Sequence, residues 1–559
     1  MIESKTSFRL PIQYYKTNVL SKEVVDDLEL EVLYSKIVYN IDSKYSQRLS
    51  KSCIQYYTTN TRFLRDHQLF LQDYEHIPIT TAIPYHDTWN EFYPCDHFKE
   101  KYQYIEWDHL EKCNHSSPML QILTLCNLSS PFVMFMSPIF MFIVPFFILS
   151  FASNNPLTLQ NYLGLLKEVM KHHAFGRIFT GLSGNDGIQQ KCSAFCFLLF
   201  YLSSVYQNIL SCIRFYRNID HMKRFLCNTK MFLNTIDDAI CRCVGYMSDK
   251  ESFQPYITDI QDRQDDIRQL CNELSCIDEK SFRVHQIMEV GYMMKLFYAY
   301  QNDEYYIELI EYCFDVLCYI HYLNQLHEKI HTGNMKPCTF HRENTIMYKQ
   351  YYLYHMFDKE KVRNNVKLRK NMLITGPNAS GKTTILKSVM INQIISQQIG
   401  YGCYEEKTKI KCYDTFFSYL NIPDTCKRDS LFQAEARRCL QIIKYIQSHP
   451  KDNIYIIFDE LYSGTNPEEA VISSKAFIQY MSSFKVTFMV TTHYIDICKS
   501  VYGENIRNMQ METKKHDDFS LDYTYKIIPG ISKVKAGILV LKELGYPQEI
   551  IQALQIQSE

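Results

Sequence analysis

Two stretches of this chain carry no charge at all. Residues 131–152 (PFVMFMSPIFMFIVPFFILSFA) hold 22 positions without an acidic or basic side chain. Residues 192–213 (CSAFCFLLFYLSSVYQNILSCI) form a second uncharged run, less apolar, with Gln207 and Asn208 inside it. A helix that crosses a bilayer needs about 20 apolar residues, and both runs are long enough. Pro131, Pro138 and Pro145 recur every seven positions, near one helix face. Interior prolines weaken a helix in water and are better tolerated in a membrane. Arg214, Arg217, Lys223, Arg224 and Lys230 follow the second run, and such an excess marks the cytoplasmic flank of a span. Lys167, Lys171 and Arg177 between the runs oppose that asymmetry. The pattern predicts a helical hairpin over 128–214. It is transmembrane in one reading, with the following domain in the cytoplasm. In the other it is buried in a large core.

Elsewhere the apolar positions recur at helical spacing. Ile307, Ile310, Phe314 and Leu317 mark one face within a helical stretch at 218–331. That stripe reads as core. The polar segment 332–336 and Pro337 mark a boundary. Beyond it, short apolar runs ending in polar turns predict strands just before the loop at Gly376 (around Leu373-Ile374), at 453–458 and at 486–490. The chain divides into a mainly helical N-terminal region (1–127), the apolar hairpin (128–214), a helical core or lever (215–337) and a C-terminal α/β domain (338–559).

Composition narrows this picture. A chain of 559 residues should hold several domains of about 100–200 residues each. The 60 basic and 61 acidic side chains balance, so nothing pulls the whole molecule toward nucleic acid. Residues 249–280 hold nine acidic against four basic side chains, which disfavours contact with a phosphate backbone there. Twenty cysteines with a polar, mixed start predict free thiols in a reducing, intracellular compartment. Cys241/Cys243 and Cys192/Cys196 have no second pair at metal-finger spacing, so they read as buried thiols.

The C-terminal domain carries the chemistry. Gly376-Pro377-Asn378-Ala379-Ser380-Gly381-Lys382-Thr383-Thr384 follows an apolar strand and opens a helical pattern. Glycine-rich backbone at a helix N-terminus gathers N–H groups into an anion cradle suited to ATP phosphates. In such a P-loop, Lys382 reaches the β/γ-phosphates and the Thr383 hydroxyl ligates Mg²⁺. About 80 residues on, the strand at 453–458 ends in Asp459-Glu460. Asp459 is placed to hold Mg²⁺ and Glu460 to polarise the attacking water. Ser463-Gly464-Thr465-Asn466-Pro467 is a tight turn, read more plainly as a helix start capped by Asn466 or Thr465. His493 closes the strand at 486–490, within reach of a γ-phosphate. Ser430 heads a helix, either as its cap or as a contact to nucleotide in a second subunit.

These pieces, in this order, resemble the nucleotide-binding domain of the MutS mismatch-repair ATPases. The likeness rests on Thr375 to Thr384, on Ser430, Phe432 and Glu435, on Asp459-Glu460 with Gly464-Thr465, and on Thr492-His493-Tyr494. It continues through Pro529-Gly530-Ile531-Ser532-Lys533 and the segment to Ile551, similar to that family's dimer-supporting end. Asn364-Asn365 looks like its approach to the base pocket. The resemblance implies an ABC-type α/β ATPase joined to a helical lever. It implies ATP and Mg²⁺ as cofactors, and a homodimer or heterodimer that completes each site with Ser430. It also implies DNA, mismatched or branched, as partner. Ala379-Ser380 and Leu461-Tyr462-Ser463 depart from the family's usual residues. Phe98-Lys99-Glu100 matches the family's mismatch-reading tripeptide, as chance alone would allow in a chain this rich in Phe and Glu. The alternative is a membrane-tethered engine of the same kind acting on a protein or membrane partner without mismatch recognition.

Overall fold

The computed structural model describes residues 8–38, 44–79, 84–92, 97–152, 159–172, 188–277, 288–356, 360–420, 431–501, 503, 505–515, 521–534, 541, 545–547 and 549–550. Two compact units emerge. The first gathers residues 1–79, 236–265 and 312–559; the second gathers 80–235 and 266–311.

The first unit is built on a six-stranded sheet. Its order is Thr415–Tyr419, Ile454–Asp459, Val486–Thr492, Asn371–Thr375, Ile506–Lys515, Leu521–Pro529. The first five strands run parallel and the last is antiparallel. Parallel strands are covered on both faces and therefore read as unbroken apolar runs. Asn371–Thr375 is buried at every position. Leu373, Ile456, Phe458, Phe488 and Val490 form the sheet's share of the core, with Ile442 and Phe477 from covering helices. A smaller four-stranded sheet, with Thr345–Gln350 pairing Asn364–Leu368, lies in the same unit.

The helix Lys382–Ile399 is buried over nearly its whole surface, including Ser388, Asn392, Gln393, Ser396, Gln397 and Gln398. Buried polar groups are stable only when hydrogen-bonded, and partners come from far away in the chain. Gln398 Nε2 donates to the carbonyls of Cys53 (2.9 Å) and Ile54 (3.0 Å). Gln397 Nε2 donates to Tyr413 O at 2.9 Å, and the Gln397 carbonyl accepts from Thr58 N at 3.0 Å. Gly400 ends the helix at φ +80°, and a Cβ there would lie 2.4 Å from Gln68 Cγ. Only glycine admits Gln68, whose Nε2 donates to Cys338 O at 2.8 Å and Gly400 O at 2.5 Å. The N-terminal segment up to Ile79 thus belongs with the α/β domain.

The second unit is helical. Its core includes Phe98, which stacks with Tyr104 and Phe297 at centroid distances of 5.4 and 5.5 Å. Two long helices, Ser117–Ala152 and Ile188–Met247 (the latter up to Thr235 in this unit), cover both apolar runs. They are antiparallel: Tyr201 Oη donates to Met134 O (3.3 Å) and Phe135 O (3.2 Å), and Cys212 Sγ lies 3.8 Å from Leu128 O. At the base, Gly291 touches the first helix so closely that a Cβ would sit 2.5 Å from Ser117 O. Leu120, Thr124, Phe215 and Ile219 are buried there. Beyond the base, Phe132, Phe135 and Phe200 are 63%, 63% and 74% exposed. Among the described residues, two helical stretches, Ser117–Phe140 and Lys191–Met247, are long and apolar enough to cross a membrane.

The cysteine expectation is corrected in part. No disulfide forms among the described cysteines, and Cys243 is buried, its thiol pushed up to about 12 by desolvation. Cys192, Cys196 and Cys241 are exposed. The first two sit in the apolar run whose neighbours also face outward.

Candidate functional site

The site forms where the strands Asn371–Thr375, Ile454–Asp459 and Val486–Thr492 end together. Asp459 pairs with Thr491, and Thr492 with Thr375, so register alone aligns the glycine loop, the acidic pair and His493 at one sheet edge.

Close packing dictates the loop's glycines. A Cβ on Gly376 would meet Ser380 Oγ at 2.8 Å and Met511 Cβ at 3.0 Å. Gly381 caps the helix Lys382–Ile399 at φ +89°, and Ala379 also takes a left-handed conformation, φ +60°. Ser380 Oγ donates to Pro377 O at 2.7 Å and closes the turn. Asn378, Thr383 and Thr384 complete the same arc of chain.

Lys382 is buried, with Nζ donating to Gly376 O (3.0 Å) and Pro377 O (3.3 Å). Burial lowers its pKa, opposed by the nearby Glu460 and Asp459 carboxylates. Glu460 Oε1 lies 3.7 Å from Lys382 Nζ and 2.5 Å from His493 Nε2. His493 Nε2 also lies 3.1 Å from Lys382 Nζ. One ring nitrogen cannot donate and accept at once. Donation to Glu460 fits the carboxyl's lowered pKa, whose largest cause is that hydrogen bond. The lysine contact is then a close approach between donors. Thr383 Oγ1 donates to Asp459 Oδ2 at 2.7 Å, and the Thr491 hydroxyl bonds the other Asp459 oxygen. Glu460 itself sits at φ +52°, its N–H held by Thr491 O and Oγ1, each at 3.2 Å. Non-glycine residues in that region carry strain that surrounding bonds must hold.

The structure adds a connection that the motifs read singly did not reveal. Glu435, almost fully buried, accepts from Ser463 N (3.1 Å), Ser463 Oγ (2.9 Å) and Gly464 N (3.2 Å). A Cβ on Gly464 would lie 2.7 Å from Phe432 N. The turn after Glu460 is thereby clamped to the start of the helix Leu431–Ser448. The i+28 spacing gives no periodic signal; only the shared edge explains it. Asn466 caps the helix Pro467–Ser482, accepting from Glu469 N at 2.9 Å. Thr465 instead bonds Glu469 Oε2. Ser430 lies outside the described residues, as do 535–540 and most of the C-terminal segment.

Two expected contacts take other roles. Asn364 bonds Tyr525 O and Ile527 N, and Asn365 Oδ1 accepts from Lys349 N at 2.9 Å. Both amides tie strands together. Phe98 is buried in the helical unit and Lys99 pairs with Glu111 at 2.7 Å, so that tripeptide offers no open ring to a base. No cluster of metal-binding side chains occurs among the described residues.

Fold and site define a mixed α/β domain with its polar machinery gathered at one edge of a parallel sheet. Residues 372–559 match the family model described as MutS domain V. Over 189 residues the chain is 31% identical to MutS protein homolog 4 of Mus musculus, covering 32% of this chain and 19% of that protein. Over 197 residues it is 30% identical to the Homo sapiens protein of the same name, covering 34% and 20%. Endonuclease MutS2 of Thermus thermophilus is 29% identical over 210 residues, covering 37% and 27%. The chain thus matches less than a third of the length of each. Residues 372–559 thus carry a MutS domain V.

Proposed function

We propose that this protein is a DNA-binding ATPase of mismatch repair or recombination, working as a dimeric clamp driven by ATP binding and hydrolysis. The observation that carries the reading is the convergence of Lys382, Thr383, Asp459, Glu460 and His493 within a MutS domain V.

The residues present fit ATP and Mg²⁺. Gly381, at φ +89°, turns the loop onto the N-terminus of the helix Lys382–Ile399, where backbone N–H groups suit an anion. Thr383 and Asp459 present hard oxygen donors, the type Mg²⁺ prefers. When bound, Mg²⁺ supplies positive charge against the β/γ-phosphate oxygens. Lys382 binds the same phosphates as a buried cation. Glu460 accepts a proton from the attacking water and holds it in line; the hydrogen bond from His493 orients the carboxylate for that work. Ser430 of each subunit completes the other's site, in a homodimer or a heterodimer. The helical lever carries closure of the dimer toward DNA.

Lys382→Ala should abolish binding of a fluorescent ATP analogue; retained binding refutes the phosphate role. Glu460→Gln should accumulate an ATP-loaded dimer in sedimentation analysis, and an unchanged mass and turnover would sink the composite site. Mismatched or branched duplexes should stimulate turnover above plain duplex. Turnover indifferent to every DNA refutes the DNA reading while leaving the ATPase intact.

A further inference from the structure

We propose that the antiparallel helices Ser117–Ala152 and Ile188–Met247 insert as a hairpin through a lipid bilayer, with the chain on either side of the hairpin held at one membrane face. This goes beyond the ATPase reading and does not depend on it.

Three independent observations carry it. The first is a change of environment along each helix. Leu120 and Thr124 are buried against the base, where Thr124 Oγ1 contacts Met294 Sδ at 3.4 Å; a few turns on, Phe132 and Phe135 point outward. The partner helix mirrors this, with Phe215 and Ile219 buried and Leu199, Phe200 and Leu202 outward. A contiguous apolar surface of this extent is rare on a protein surrounded by water.

The second is length. The contacts of Tyr201 with Met134 and Phe135, and of Cys212 with Leu128, fix the register. By those contacts Arg214 lies level with about residues 121–126 and Lys191 with about residues 144–149. The uncharged slab between these two cations spans 22 residues, or about 33 Å of helix, against a hydrocarbon thickness of about 30 Å. Arg214 and Arg217 are exposed at its lower margin, where a cation meets anionic headgroups.

The third is the treatment of the backbone. Proline at position i removes the hydrogen bond to the carbonyl at i−4. Pro131 frees Asn127 O, and Ser130 Oγ donates to it at 3.1 Å. Pro138 frees Met134 O, and Ser137 Oγ (2.8 Å) and Tyr201 Oη (3.3 Å) both donate to it. Asn208, inside the slab, returns its Nδ2 to Ser204 O at 2.9 Å. In water a freed carbonyl on an exposed helix is solvated at no cost. In hydrocarbon each must find a donor within the protein. The carbonyls freed by Pro131 and Pro138 are supplied from within, on a surface that would otherwise meet solvent. The occupant that fits is lipid.

The test uses the full chain in membranes of the cells that express it, and in vesicles of phosphatidylcholine with a minority of phosphatidylglycerol. The protein should float with the vesicles and resist alkaline carbonate. Protease added outside should cut the chain flanking the hairpin while sparing 153–187. Release by carbonate or by salt would overturn insertion, as would a detergent-free soluble oligomer in which a second copy covers the band. Phe135→Asp combined with Phe200→Asp should lower the membrane-bound fraction at least tenfold, with ATP-analogue binding as the check that the α/β unit remains folded. Unchanged flotation of that variant would count against the band. Lys382→Ala should float like the parent, so failure of the ATPase reading and failure of insertion give separate signatures.

Discussion

The helix Lys382–Ile399 and the helix Ser117–Ala152 invert the usual rule in opposite senses. One buries Ser, Asn and Gln side chains; the other turns Phe and Ile outward. The first is possible because nearly every buried polar group finds a partner: Asn392 Nδ2 with Tyr351 O at 3.1 Å, Gln393 Nε2 with Lys411 O at 2.7 Å, Gln398 with Cys53 and Ile54. The second finds no such cover beyond its base, and in the proposed bilayer it would need none. Polarity by itself therefore did not decide burial in this chain. What decided it was whether each group's bonding capacity could be met where the fold placed it.

That comparison can be broken or sharpened by measurement. The largest effect is expected at Glu435→Ala. It strips three donors of a buried acceptor and should destabilise the first unit by about 3 kcal/mol in urea titration. It should also loosen the turn after Glu460, seen as faster proteolysis around 463–466. Next comes Gln398→Leu, which removes a donor from the Cys53 and Ile54 carbonyls and an acceptor from the Tyr34 hydroxyl. A loss of about 2 kcal/mol is expected, with protease cleavage within 44–73 rising in parallel. A neutral result would mean the N-terminal segment is held by apolar contact instead. Phe200→Gln, on the outward band, should change the unfolding free energy of the α/β unit in urea by less than about 0.5 kcal/mol. A larger loss would show that Phe200 packs inside the protein.

The smallest effect is a pH dependence. The hydrogen bond from His493 holds the Glu460 carboxyl below its ordinary 4.5, against the opposing push of burial. A depressed carboxyl contributes stability that is complete above that ordinary value and lost as pH falls through the folded one. Glu460→Gln should therefore flatten the acid limb of the stability profile, bringing parent and variant together at the lowest pH. Parallel profiles would remove the carboxylate from the accounting.

The site was readable to the extent that its chemistry is local in sequence. A strand, a glycine loop and a helix occupy consecutive residues, and Asp459-Glu460 follows an apolar run, so spacing exposed them. The cap at Asn466 was visible for the same reason. The clamp from Glu435 to Ser463 and Gly464 was not, because it joins two motifs whose separation has no period. The docking of the N-terminal segment was hidden more deeply. Gln393, Gln397 and Gln398 look like a solvated face, and their partners lie up to 345 residues away. The hairpin was visible as a pair of uncharged runs, whereas its register and the repair of its proline-freed carbonyls needed coordinates.

The prolines of that hairpin have a mechanical consequence. Seven residues make close to two helical turns, with a drift of only about 20° per repeat. Pro131, Pro138 and Pro145 therefore weaken the Ser117–Ala152 helix along nearly the same side. Bends at such positions accumulate instead of cancelling, so the helix is compliant in one direction and stiff in the others. Ser130, Ser137 and Tyr201 bond carbonyls freed along that side, and a load on one end of the hairpin is expected to flex it in a single plane.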